Sequence, residues 1–265
     1  MLTRADEKTS AALKLLLDKI PENSVRLSAL LGAYGTDRGF FNVWIQNDFA
    51  AVISRLENTF SVIDFGGLDL DEAAFFLDFN PYFRRLTGNV GTVRQISLPL
   101  SARFTLERVN LMRFAVRRDK AVNLPPAAPA QQLILARQPE LRAVYDLIAG
   151  VLPQESDYAA WYADLNHRMR HGCARAYLLF CGGKPACACL VSAESIAAGL
   201  ISGVATKSEL RGRGFATHVI ACVCADLADS GKISVLECMD NLLPFYENLG
   251  FEKIGGVAEL EVELK

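Results

Sequence analysis

The chain has 265 residues, 51% of them hydrophobic and 22% charged, with a formal net charge of −2. This is a globular composition, long enough for one large domain or two ordinary ones, and it excludes a disordered chain. So small a charge gives no global attraction to nucleic acid or an anionic membrane, no apolar run approaches the roughly 20 residues a bilayer crossing needs, and the start MLTRADEKTS is unlike a signal peptide, so small-molecule partners and a cytoplasmic location are expected.

From residue 2 onward Leu13, Leu16, Leu17 and Ile20 form one helical stripe, which Pro21 stops. Asn23 or Ser24 is the expected cap of a second helix reaching about Tyr34, and 35–39 form a loop. The period then changes, and 41–45, 49–56 and 60–65 read as three strands. Gly66-Gly67 turns the chain, and Asp69 with Glu72 predicts a capping box for a helix holding Ala73, Phe76 and Leu77. Residues 93–98 and 104–116 look like strands, and 121–130, AVNLPPAAPA, lose periodicity and read as a linker between domains at 1–122 and 131–265.

After the linker, 139–149 predict a helix with Leu141, Val144, Tyr145 and Ile148 on one face, and Ser156 or Asp157 caps another that ends at Gly172. Strands are expected at 175–181, 185–191 and 200–206, with Gly182-Gly183 between the first two, then a helix, then a strand at 233–238. Both halves therefore read helix, helix, three strands, helix, strand, an order that suggests internal duplication with a period of about 130 residues.

Residues 200–227, LISGVATKSELRGRGFATHVIACVCADL, combine a strand, an anion cradle and a helix with Val219, Ile220, Val223 and Leu227 at helical spacing. A helix start has unpartnered N–H groups and about half a positive charge, so it favours an anion. The small residues Gly212, Gly214 and Ala216 let a diphosphate approach the backbone, and Arg211 and Arg213 add charge. The stretch has neither the Lys-Ser/Thr ending of a P-loop nor a full G-x-G-x-x-G pattern, so a diphosphate other than that of a nucleoside triphosphate fits better.

The seven cysteines are odd in number and suit reduced thiols. Cys187 with Cys189 and Cys222 with Cys224 are spaced C-x-C, and the second pair falls on a predicted helix where i and i+2 do not share a face, which favours packing over zinc. His167 and His171 form an i, i+4 pair with no evident third ligand, so a basic helix end is expected and no metal.

Arg211-x-x-Gly214-x-Ala216 after a strand resembles the acyl-CoA pyrophosphate loop of the GNAT N-acyltransferase superfamily, and about thirty residues on, 241–251, from Asn241 through Tyr246 to Gly250-Phe251, resemble its second signature. The resemblance covers about 131–256 and is only architectural over the first 120 or so residues. An altered first half before a complete second one resembles the glycine N-acyltransferase-like branch. The implied fold is α/β (α+β): tandem GNAT-like halves, each a mixed, mainly antiparallel sheet flanked by helices, with Asp69 and Asp71 excluding CoA from the first half and that half walling the acceptor site.

The implied activity is direct transfer of an acyl group from acetyl-CoA or another acyl-CoA to a primary amine of a small molecule or amino acid. Val204, Ala205 and Thr206 match the strand that meets pantetheine and thioester, Arg211, Gly212, Arg213, Gly214, Phe215 and Ala216 the pyrophosphate loop, and Asn241 the second signature. Tyr246 matches the acid that protonates the leaving thiolate, although beside Phe245 and Phe251 it also fits simple packing. The glutamate that many relatives carry on this strand is absent, and Glu194 or Glu237 is its substitute as base by position; a water relay serves equally well. The same absence motivates a second reading, a sensor that binds acyl-CoA without turnover.

Overall fold

The computed structural model describes residues 1–101, 103–114, 133–151 and 157–263; the expected linker at 121–130 and the cap candidate Ser156 lie outside them. The chain forms two compact units, one of Met1–Leu111 with Cys238–Asn241 and Lys253–Lys265, the other of Met112–Glu237 with Leu242–Glu252.

In the first unit, β1 (Leu2–Arg4), α1 (Glu7–Leu17) and α2 (Pro21–Tyr34) precede the meander β2 (Phe41–Gln46), β3 (Ala51–Leu56) and β4 (Thr59–Asp64). Then come α3 (Leu70–Asp78), β5 (Arg85–Asn89), α4 (Val90–Ser97) and β6 (Phe104–Phe114), the last running on into the second unit. Residues 2–4, expected in the first helix, instead pair antiparallel with β2, because Asp6 and Thr9 close a capping box that fixes where α1 begins. Pro21 is the first residue of α2, where its missing N–H is harmless, and Ser24 bonds Leu17 O at 2.7 Å instead of capping. The second strand starts at Ala51, not 49, because Asn47, Asp48 and Phe49 all have positive φ.

The strand expected at 93–98 is helix α4. Asn89 caps it by accepting the Gly91 N–H at 2.9 Å, and Thr92, Val93 and Ile96 bury one helical face. So short an apolar run fits either period, and the cap decides it.

The second unit repeats the order: β7 (Leu133–Ala136), α5 (Leu141–Ala149), α6 (Tyr158–Arg170), β8 (Arg175–Cys181), β9 (Lys184–Glu194), β10 (Ala198–Thr206), α7 (Phe215–Asp229), β11 (Ile233–Cys238), α8 (Leu243–Asn248) and β12 (Phe251–Val262). Leaving aside two single-turn 3-10 helices, Ser208–Leu210 and Asp240–Leu242, each half reads βααβββαβαβ, a longer repeat than the sequence shows.

Strand order also repeats: β1-β2-β3-β4-β5 in the first unit and β7-β8-β9-β10-β11 in the second. In both, the fourth and fifth strands are parallel and their neighbours antiparallel. From Lys253 on, β12 belongs to the first unit, where Val257–Glu261 pair antiparallel with β5. In the second unit α5 and α6 cover one sheet face through Ala176, Leu178, Ala188, Leu190 and Ala205. α7 covers the other, where a Cβ on Gly199 would lie 2.6 Å from Leu227.

Candidate active site

The chain leaves β10 through the 3-10 turn Ser208–Leu210 and enters α7 at Gly214. Gly212 and Gly214 have φ of 73° and 78°, a conformation glycine adopts without the Cβ penalty. No side chain caps α7, and its first intrahelical bond runs from His218 N–H to Gly214 O, so the N–H groups of Phe215, Ala216 and Thr217 have no helical partner. Arg211 and Arg213 are exposed and, among the described residues, make only long bonds of 3.4 Å, to Thr206 O and Glu209 O. Open amides, small residues and two uncommitted guanidinium groups fit a diphosphate. The Phe215 side chain is a core residue, 3% exposed, so only its backbone belongs to the cradle.

The corresponding turn of the first unit is closed by its own carboxylates. Asp64 Oδ1 accepts the N–H groups of Gly66, Gly67 and Leu68 at 2.8, 3.1 and 3.2 Å. Asp69 caps α3 by accepting the Glu72 N–H at 3.0 Å. The expected capping box is only half formed, because Gln46 takes the Asp69 N–H and Glu72 turns to the Leu2 N–H and Gln46. Asp64, not singled out in the sequence, therefore fills the amide nest an anion would use, and Asp71 is merely exposed.

β10 parts from β11 before it reaches the cradle and bulges away from β9, rejoining β9 at Ala205 and Thr206. Its parallel pairing with β11 ends at Ile201 and Leu236, and its register with β9 shifts between Ser202 and Ala205, leaving Gly203 and Val204 without partners in the ladder. Gly203 has φ 57°, and a Cβ there would lie 3.0 Å from Ile148 of α5. Val204 is half-buried, Ala205 is buried in the α5 and α6 core, and the Thr206 hydroxyl lies 3.2 Å from Cys187 Sγ. The backbone of 202–204 is what this strand offers a ligand.

The two candidate bases separate. Glu237 follows Leu236, the last residue of β11 paired with β10, and so stands level with Ser202 where these two strands part. Alternation puts it on the α5 and α6 face, since Ser234 pairs with Gly199, which faces α7. Glu194 is committed to ion pairs away from the bulge. It is 3% exposed, takes Arg175 on both oxygens at 2.7 and 2.5 Å, and also binds Lys232. It pairs with Gly199, three residues or roughly 10 Å from the bulge, and holds β8, β9 and the start of β11 together.

Tyr246 on α8 is 8% exposed, with Phe245 and Phe251 edge-on at 5.0 and 5.8 Å. Asn241 is exposed on the 3-10 turn Asp240–Leu242 and falls in the first unit. That turn is held by Asn110, whose buried amide donates to Cys238 O at 3.2 Å and Asp240 Oδ1 at 2.7 Å, a role that nothing in the sequence signals.

All seven cysteines are free. Burial pushes the Cys187 thiol up to about 11 and Cys224 to about 12. Among the described residues no group of three or more His, Cys, Asp or Glu could hold a metal, and no helix is long and apolar enough to cross a membrane. His167 and His171 stack at 4.2 Å, with His171 Nδ1 2.8 Å from His167 O.

Residues 185–260 match the family described as FR47-like protein. No curated protein sequence matches the chain. Among solved structures, a tandem GNAT protein from the clavulanic acid biosynthesis pathway is 15% identical, with a TM-score of 0.66 over 100% of this chain and 99% of that one. A Drosophila protein is 11% identical, with a TM-score of 0.68 over 99% and 98%. A GCN5-related N-acetyltransferase from Kribbella flavida is 14% identical, with a TM-score of 0.60 over 94% and 96%. At these identities the likeness establishes the fold, two GNAT-like halves of mixed, mainly antiparallel sheet flanked by helices.

Proposed function

We propose that this chain is an acyl-CoA-dependent N-acyltransferase that uses acetyl-CoA or another acyl-CoA and acylates a primary amine of a small molecule or amino acid by direct attack. The observation that carries the reading is the uncapped start of α7 beyond a strand that has parted from β11 and bulged from β9, in the half where, among the described residues, no carboxylate closes the turn. The first half, taken as a degenerate GNAT-like domain over about 1–122, binds no CoA in this reading. Its altered turn before a complete second half is also what supports the glycine N-acyltransferase-like branch.

Acyl-CoA supplies the activated thioester. The amides of Phe215 and Ala216 with Arg211 and Arg213 hold its diphosphate, Gly212 and Gly214 give the room, and the backbone of Val204 to Thr206 lies along pantetheine. A strand N–H at the bulge of Gly203 and Val204 polarises the thioester carbonyl. Glu237, at the parting of the strands, takes the proton of the attacking amine directly or through a water, and the Tyr246 hydroxyl protonates the departing thiolate. Asn241 stays assigned to the cofactor side by its signature.

The acyl-CoA sensor is the second reading, favoured by the lack of a glutamate on β10 itself. Free-thiol release from acetyl-CoA, with mass spectrometry of products over a panel of amines and amino acids, separates the two. Turnover is expected, and both Glu237→Gln and Tyr246→Phe should lower kcat about 10²-fold or more while CoA affinity holds. Tight CoA binding with no acylated product from any amine would leave the sensor.

A further inference from the structure

A cavity of about 420 Å³ lies on the α5 side of the β10–α7 connection, within the second unit. One stripe of α5 and the turn after it, Ala143, Asp146, Leu147, Gly150 and Val151, forms one wall, and Pro185 with Lys207, Ser208, Glu209 and Arg211 forms the other. It adjoins the cradle, since Arg211 serves both. It also neighbours the bulge, since Ile148, next to Leu147, is the residue a Cβ on Gly203 would meet. The size suits part of a small ligand.

The charges facing this space are unequally committed. Asp146 accepts Arg142 Nε on both oxygens, at 2.9 and 3.1 Å. Its own backbone and the Ser208 hydroxyl at 3.1 Å hold the Glu209 carboxyl below its ordinary value. Among the described residues Arg211 has only its 3.4 Å bond to Thr206 O. Lys207 makes no ion pair and its ammonium no hydrogen bond among the described residues, although its backbone is fixed by Lys207 N–H to Ala186 O at 3.1 Å. With Arg142 counted, three cations meet two anions, so one positive charge is in excess, and the half-buried Lys207, which acts on the Glu209 carboxylate only through space, is a cation here that no ion pair among the described residues holds.

We infer that this cavity is a binding site for an oxyanion of the ligand, with the Lys207 ammonium as its main contact. Two parts of a ternary complex could supply that oxyanion, the 3′-phosphate of CoA or a carboxylate on the acceptor amine. The inference rests on the acyltransferase reading for what arrives there and on the cavity's own charges for what is bound.

The test uses the full chain and two matched pairs of probes: CoA against 3′-dephospho-CoA, and leucine and phenylalanine against their amides, with binding measured by calorimetry and turnover by thiol release. The wild-type protein should prefer the charged member of at least one pair about tenfold, Lys207→Gln should erase that preference, and Lys207→Arg should keep most of it. Loss in the CoA pair identifies the nucleotide phosphate, and loss in the amino-acid pair identifies the acceptor. A Lys207→Gln protein that melts like wild type and discriminates both pairs as wild type does overturns the inference, as does a wild type indifferent to both. Failure of the acyltransferase reading shows separately, as normal CoA binding when the cradle itself is blocked at Gly214.

Discussion

Gly214→Asp would give the second half the device that closes the first. An aspartate at the start of α7 would accept a first-turn N–H as Asp69 does for α3, and Asp is among the residues that tolerate the left-handed conformation held at φ 78°. The cap gain of about 1 kcal/mol and the left-handed penalty of about 1–2 kcal/mol largely cancel, so the melting temperature should move by no more than about 4 °C. Binding should change far more. A carboxylate about 5 Å from a diphosphate meets each negative charge with about 3 kcal/mol of repulsion at an effective dielectric of 20, and screening at this half-exposed position trims the total to about 2–3 kcal/mol. The Kd for CoA should therefore rise about 30- to 150-fold. Calorimetric titration of CoA, with Gly214→Ala as the uncharged control, measures it. A folded Gly214→Asp protein with wild-type CoA affinity would refute the cradle assignment, and equal losses in Ala and Asp would assign the effect to strain instead of charge.

Other outcomes follow from the same contacts. Glu194→Gln leaves Arg175 and Lys232 without their counter-charge, and with those side chains 28% and 17% exposed the loss should be roughly 2–4 kcal/mol in urea melts, with no shift in the pH limbs of kcat; a moved limb would return Glu194 to the chemistry. The thiols of Cys187 and Cys224 are raised from an ordinary 9.0 to about 11 and about 12 by burial, and Tyr177 from 10.0 to about 12, so above pH 9 the unfolded chain releases protons that the folded one keeps. Their contribution to stability is complete below pH 9 and declines as pH rises toward 11–12, and a denaturation midpoint unchanged between pH 8 and 10.5 would contradict it. Below pH 9 native Cys187, Cys189 and Cys224 should resist alkylation that reaches the half-buried Cys181 and Cys222.

Sequence alone determined the features that depend on a few neighbouring residues. Arg211 to Ala216 after an apolar strand already specify a turn with two left-handed glycines and an open helix start, because small residues and helix ends act locally. The repeated order of helices and strands was legible for the same reason: burial of one face imposes a period of 3.6 or 2 on the chain.

Tertiary structure decided whatever depends on partners far away in the chain. Glu194 and Glu237 are alike as glutamates near strand ends, and only strand register shows one ion-paired with Arg175 and Lys232 and the other level with the bulge. Asp64 could be read as the solvated end of a strand until Gly66, Gly67 and Leu68 curl back to its carboxylate. The strands β5 and β12 pair 168 or more residues apart, from Asn89 with Val257 onward; Ala258, Leu260 and Val262 alternate with glutamates as a strand does, but the five residues Arg85–Asn89, with only Leu86 buried, carry too little local alternation to announce themselves. Short stretches with one buried side chain have no periodicity to display; the energy that makes them strands comes from the ladder they join, and a ladder between distant segments exists only once the chain has folded.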